Sequence, residues 1–110
     1  MLNLKKGDFV VVSMEGEQTF LRLSGEMEEK NDGVFIPFDH IWKMHTVPRL
    51  VNGQSVVGNV LEDLGRNLSI GEGVFTVPVN HVPAMIAAVK PDGEIYNALM
   101  STATGITIPR

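Results

Sequence analysis

The polar side chains best placed to bind a ligand are Asp63, Arg66 and Asn67, which crowd within five residues, and the pair Asn80-His81 further on. Asp and Asn can hydrogen-bond the exposed edges of unstacked bases, Arg can stack on them or contact phosphate, and His can stack. Metal chemistry is not expected from His40, His45 and His81, because a zinc site wants three or four convergent ligands and their spacing suggests none. Each is expected instead at a turn or strand end, its ring nitrogen bonded to backbone. Glu26-Met27-Glu28-Glu29 reads as a solvated hairpin tip, since nothing in it locks the carboxylates together. Trp42 suits either a base-stacking platform or a core or interface anchor, and the anchor is the commoner use of a lone Trp. Gly53-Gln54-Ser55-Val56-Val57 lacks the final glycine of a nucleophile elbow, and Gly71-Glu72-Gly73 is too little for a phosphate cradle. No enzyme activity, cofactor or metal is expected.

Those side chains must be held by a chain of 110 residues, the length of a single domain, with 44% hydrophobic residues to form its core. The absence of cysteine removes disulfides and thiolate chemistry and fits a cytoplasmic setting. Lys5-Lys6 lead into Gly7-Asp8 and not an apolar stretch, which is unlike a signal peptide. The most apolar run, Val82 to Val89, is too short to span a bilayer, so no membrane partner is expected. A net charge of −4, with acids dense between Glu15 and Asp32, argues against a broad duplex-DNA face but leaves room for a local single-strand site.

The periodicity is that of strands. Phe9–Met14 is a β-branched run, followed by a turn at Glu15-Gly16-Glu17-Gln18. Thr19–Met27 alternates, with Leu21, Leu23 and Met27 on one face and Arg22, Ser24 and Glu26 on the other. Phe20 breaks the alternation and is expected at a barrel end. Lys30-Asn31-Asp32-Gly33 and Asn52-Gly53 carry hairpin chemistry. Val34–Phe38, Ile41–Val47, Ser55–Leu61, Val74–Val79 and Val82–Val89 read as further strands. Pro37 is expected to mark an edge or a break, and Pro48 an interruption. Glu94–Ser101, capped by Asp92, is the one plausible helix. The expected core is Leu21, Leu23, Phe35, Ile36, Leu61, Phe75, Val77 and Ile86.

The run Gly33-Val-Phe-Ile-Pro-Phe-Asp-His40-Ile41 is echoed by Gly73-Val-Phe-Thr-Val-Pro-Val-Asn-His81-Val82, with one residue more in the second copy. Two readings stay open: an internal duplication, with copies at about 8–47 and 48–91 and a tail at 92–110, or hairpins of like geometry reusing the same residue types. Either gives one mainly β domain, a small barrel, closed or made of two half-barrels, with at most one short helix.

From Asn52-Gly53 through Gly58, Asp63 and Arg66-Asn67-Leu68 the chain resembles the Sm/LSm proteins. Asp63 and Asn67 match the family's Asp-x-x-x-Asn spacing. Val77-Pro78-Val79-Asn80-His81-Val82 lies where these proteins carry Ile-Arg-Gly and where the Hfq-like members carry Tyr-Lys-His, with Asn80 in place of the Lys. The resemblance implies a small strongly bent Sm-like (SH3-like) open barrel with extra strands, and a homo-oligomeric ring binding single-stranded RNA, with Asp63, Arg66, Asn67, Asn80 and His81 at the pore. The competing expectation is a structural or assembly module that uses the same barrel without nucleic acid. Val82–Val89 is too apolar for a bare edge, which again calls for a closed homo-oligomer.

Overall fold

A computed structural model describes residues 4–30, 33–78 and 84–104. Its organising element is β4 (Gly33–Val51), nineteen residues long and paired with four other strands. Along one side run β3 (Glu28–Lys30) and then β2 (Glu17–Leu23). Along the other run β6 (Gly73–Pro78) and then β5 (Gln54–Asp63). Beyond β2 lie β1 (Phe9–Met14) and β7 (Ala84–Ala88), all antiparallel. The seven strands among the described residues thus form five columns. Among the described residues the sheet does not close: β7 pairs only with β1, and β5 and β6 only with β4. The mainly β expectation holds.

The expected strands at 34–38 and 41–47 are one strand, and neither proline interrupts it. Pro37 accepts a hydrogen bond from Ser24 N (3.0 Å), so its backbone faces the stretch where β3 has ended and β2 is only beginning. A donor missing there breaks no ladder bond. Pro48 sits where β4 has passed the start of β2. In the two-residue hairpin that joins β4 to β5, Val51 faces β5, and alternation turns Pro48 away toward the open side. Conversely, the expected strand 19–27 divides into β2 and β3. A register shift between Arg22 and Leu23, with Asp39 as the extra residue on β4, bends the sheet at that point.

Asn52-Gly53 forms the expected hairpin turn, the turn expected over Glu15–Gln18 is shorter because Glu17 and Gln18 already belong to β2, and the expected turn residues Asn31 and Asp32 lie outside the described residues. Glu15-Gly16 and Asn52-Gly53 have φ of 54° and 80°, and 53° and 77°, the left-handed pair that a type I′ turn requires. The echoed segments prove to be partners: Gly33–Phe38 pairs with Gly73–Pro78, Ile36 opposite Phe75 and each glycine near the other strand's far end. A Cβ on Gly33 would lie 2.5 Å from the Val77 carbonyl oxygen, and one on Gly73 would lie 2.9 Å from the Phe38 ring. The repeated glycines are therefore where the two strands close on each other.

Both faces of the sheet are covered. One buries Val10, Val12, Leu21, Leu23, Ile36, Phe38, Ile41 and Val77. The other buries Phe9, Phe20 and Trp42 beneath Leu99 of helix α2 (Glu94–Thr104), with Tyr96 edge-on to Phe9. Phe20 thus belongs to a second core and not to a barrel end, and the C-terminal segment up to Thr104 is a docked helix, longer than expected. Asp92 does not cap it: Asp92 has φ 63°, and Asn97 N donates to Gly93 O. Of the expected core, Leu21, Leu23, Ile36 and Val77 are buried, whereas Phe35, Leu61, Phe75 and Ile86 are only half-buried. Phe75 faces the rim of the first cluster, so it is not central.

Gly33→Ala should destabilise the protein by about 1–3 kcal/mol, since the added methyl meets backbone. Gly71→Ala, with open space around it, should be neutral or slightly stabilising. Urea denaturation midpoints of the two variants check this.

Candidate functional site

The Asp63 region forms a polar knot on the helix-covered face. Strand pairing sets Asp63, the last residue of β5, opposite Trp42. Asp63 is also the N-cap of a one-turn helix, α1 (Leu64–Asn67), its Oδ1 accepting from Arg66 N at 2.9 Å. The same oxygen lies 2.6 Å from His40 Nε2. The His40 ring stacks on Trp42 with centroids 4.3 Å apart. Trp42 Nε1 donates to Thr102 Oγ1 (2.6 Å), the Thr102 hydroxyl donates to Leu99 O (3.1 Å), and Arg66 donates to Thr102 O (3.3 Å). Beside the knot, Arg22 donates to Asp39 at the bulge (2.6 Å). Thus β2, β4, β5, α1 and α2 are tied by side chains as well as by packing.

The knot is closed more than it is open. Asp63 keeps 11% of its side-chain surface and His40 16%, while Trp42 is wholly buried. A Cβ on Gly65 would lie 3.0 Å from the His40 ring, so glycine is what lets α1 pass over it. Asp63 Oδ2 is buried and has no hydrogen-bond partner among the described residues, so its carboxylate is satisfied through one oxygen. Trp42 is the anchor of the two alternatives weighed. His40 and His45 bond carboxylates, not the expected backbone groups.

The opposite face of the same two strands carries an exposed charge cluster. Glu62 lies 2.7 Å from His45 Nε2, with Lys43 across the ladder from it. The His45 hydrogen bond holds the Glu62 carboxyl below the usual glutamate range against the opposing effect of burial, and the charge of His45 and a hydrogen bond from Asn67 add to the lowering. Lys43 also reaches Glu17 at 3.2 Å. No group of three or more potential ligands that could hold a metal occurs among the described residues.

Of the residues singled out in the sequence, Asp63, Arg66 and Asn67 are brought together on α1 and its cap. Arg66 and Asn67 are exposed, whereas Asp63 faces inward. Asn80 and His81 lie outside the described residues. His40 and Thr102, which complete the knot, carry no local signal: His40 is 23 residues from Asp63, and Thr102 is 60 from Trp42.

A second feature went unread in the sequence. Beyond Met44, β4 leaves β2 and continues with β5 alone, so that 45–51 and 54–60 make a two-stranded arm. Pro48, Leu50 and Val57 share one face of it; Val47, Val51, Val56 and Val60 share the other. Leu50 is 81% exposed and Val57 73%. The molecule measures 51 × 32 × 26 Å. The signal was present on both sides of Asn52-Gly53, where apolar residues fall on both faces and neither face is wholly polar.

No protein-family profile matches the chain, and neither a curated protein nor a solved structure is significantly similar to it. No helix among the described residues is long and apolar enough to cross a membrane.

Asp63→Ala should cost about 0.5–2 kcal/mol for the lost cap, and about 1–3 kcal/mol more for leaving the His40 nitrogen without its acceptor. In a double-mutant cycle with His40→Ala, thermal denaturation should show a coupling of about 0.5–3 kcal/mol between the two.

Proposed function

We propose that the chain is a non-catalytic assembly module, a strongly bent Sm-like sheet that associates with copies of itself. The observation that carries this is the arm. An isolated two-stranded ribbon is at best marginally stable in water, and this one exposes apolar side chains on both faces. The outer side of β7, with Met85 64% exposed, is a second apolar edge among the described residues. The five-column sheet supports the likeness to the bent five-stranded Sm sheet and its edge-to-edge rings. Leu50→Glu together with Val57→Glu should leave the melting temperature of the body largely unchanged but convert a multimer to a monomer in light scattering. A wild-type protein that is monomeric at micromolar concentration overturns the reading.

Binding of single-stranded RNA by such a ring is the second reading, favoured by the exposure of Arg66 and Asn67 side by side on α1. In a ring each subunit presents one copy, so weak contacts repeat around the pore. Asp63 would then act by capping α1 and setting the direction of Arg66, with Asn80 and His81 the remaining candidates. Arg66→Ala and Asn67→Ala should each weaken the binding of a uridine-rich or adenine-rich single strand in low-salt fluorescence anisotropy, and added salt should weaken wild-type binding steeply. Equal binding by both variants, or none by the wild type, leaves assembly alone.

A further inference from the structure

The arm has two long edges, and they differ. In the hairpin ladder Val51 and Gln54 face each other. Alternation therefore turns the backbone groups of Pro48 and Leu50 outward on β4, and those of Ser55, Val57 and Asn59 outward on β5. On the β4 side Pro48 brings no N–H, so a strand laid there would miss a bond in the middle of the arm. On the β5 side nothing interferes. Gln54–Val60 holds no proline and no charged residue, and all of it but Gly58 is exposed. Among the described residues β5 pairs with β4 alone. An edge left this open is a template for another strand.

The residues along that edge are matched about Val57. An antiparallel copy centred there sets Val57 against Val57 and Ser55 against Asn59 on either side, each opposed pair exchanging two backbone hydrogen bonds. Asn59 Oδ1 already accepts from the Thr46 hydroxyl (3.5 Å), which leaves its amide nitrogen to donate to Ser55. An apolar pair thus lies between two polar pairs on the face that carries Pro48 and Leu50. On the other face Val56 lies against Gly58, and Gln54 against Val60. Sliding the copies by two residues either way sets Val57 against Asn59 or Ser55, an apolar side chain against a polar one. In the matched register the partner's turn comes opposite Leu61 and Glu62, at the end of β5 and short of α1.

We infer that the outer edge of β5, from Gln54 to Val60, joins the same edge of a second copy about a two-fold axis at Val57, giving a four-stranded antiparallel ribbon. The inference rests on the assembly reading and specifies its seam. A two-fold contact presents one patch to itself, and this edge is complementary to itself. The seam also supplies the further strands that a two-stranded ribbon lacks. Arg49 is the one charged residue between Thr46 and Val60. It leans from β4 over Gly58, its Cδ 2.7 Å from where a Cβ would stand, on the face away from Pro48, Leu50 and Val57. Both copies carry it on that face of the joined ribbon, open to water, where salt screens the two charges from each other.

The chain has no cysteine, so single cysteines report single contacts. In this register Gln54 and Val60 of opposite copies are a non-hydrogen-bonded pair, with Cα atoms about 4.5 Å apart, within reach of a disulfide. Like positions are out of step by on the order of 20 Å. Gln54→Cys and Val60→Cys, both at exposed positions, are made in the full chain and mixed under mild oxidation. Each alone, and Val56→Cys mixed with Val60→Cys to report the slipped register, run beside them. The expected result is a covalent dimer that dominates only in the Gln54→Cys and Val60→Cys mixture. Light scattering follows wild-type protein, Val57→Pro and Val57→Thr in parallel. Val57→Pro removes an outward N–H and leaves the β4–β5 ladder its bonds, so association should be lost while the melting temperature of the body is kept. Val57→Thr, which keeps the N–H and the branched shape, should still associate. A wild-type multimer in which that mixture does not dominate, or which persists in Val57→Pro, overturns the seam and leaves assembly to another surface, such as the β7 edge. A wild-type monomer overturns both.

Discussion

Everything in this protein hangs on one strand being able to change partners halfway. At Phe38 the first half of β4 hands over from β3 to β2 on one side, and a few residues later from β6 to β5 on the other. A flat strand of nineteen residues could not do this and still bury both sheet faces, because its right-handed twist would carry the ends away from a common core. The extra residue at Asp39 supplies the bend. It also sets the side-chain phase: after it, His40 and Trp42 lie on the face that receives α2, and Ile41 lies on the other. The bulge is fixed in turn by the Arg22–Asp39 ion pair, which ties the extra residue back to β2. Being partly exposed, that pair contributes more to geometry than to stability.

The polar knot follows from that phase. Placing His40 and Trp42 on the helix side sets an imidazole and an indole N–H beneath α1 and α2, where neither can be left without a partner. Asp63 and Thr102 answer them, and both sit at helix ends: Asp63 at the start of α1, Thr102 in the last turn of α2. The helices are short and would gain little from their own hydrogen bonds. Here their ends are held by groups the sheet must satisfy in any case. Asp63 therefore reads differently in the fold than in the sequence. Its spacing to Asn67 suggests a ligand contact, but its carboxylate is engaged in capping and in holding His40, which leaves Arg66 and Asn67 as the outward-facing pair.

What could be read from the sequence was local. Glu15-Gly16 and Asn52-Gly53 announce their turns because left-handed φ at two successive positions is tolerated by few residue pairs. The β-branched run of β1, the alternation in β2 and the helix after Gly93 likewise depend on neighbours a few residues away. Pro37 and Pro48 misled for the same reason: each lacks a donor, but whether the ladder needs that donor depends on where β2 begins and β3 ends, which no window around the proline contains. The echo between 33–41 and 73–82 was visible as similarity, yet its physical content is pairing. Gly33 must clear the Val77 carbonyl and Gly73 the Phe38 ring, so an antiparallel pair with a local two-fold relation selects like residues at like places whatever the origin of the segments.

The arm shows why apolar content alone could not locate the core. Val47, Leu50, Val51, Val56, Val57 and Val60 have the largely β-branched, apolar composition of a buried strand pair, yet most of them are exposed because no third strand or helix accompanies them past Met44. A ribbon of this kind gains backbone hydrogen bonds and loses little by way of loop closure, since its turn is two residues long. It still gains no burial from its own chain. Selection for the free monomer would make at least one face of the arm wholly polar, whereas polar and apolar residues are mixed on both; β3, by contrast, carries only Glu28, Glu29 and Lys30, all exposed. The same sheet thus protects one short edge with charge and leaves the longer ribbon bare. That contrast within one molecule supports the assembly reading proposed for the arm.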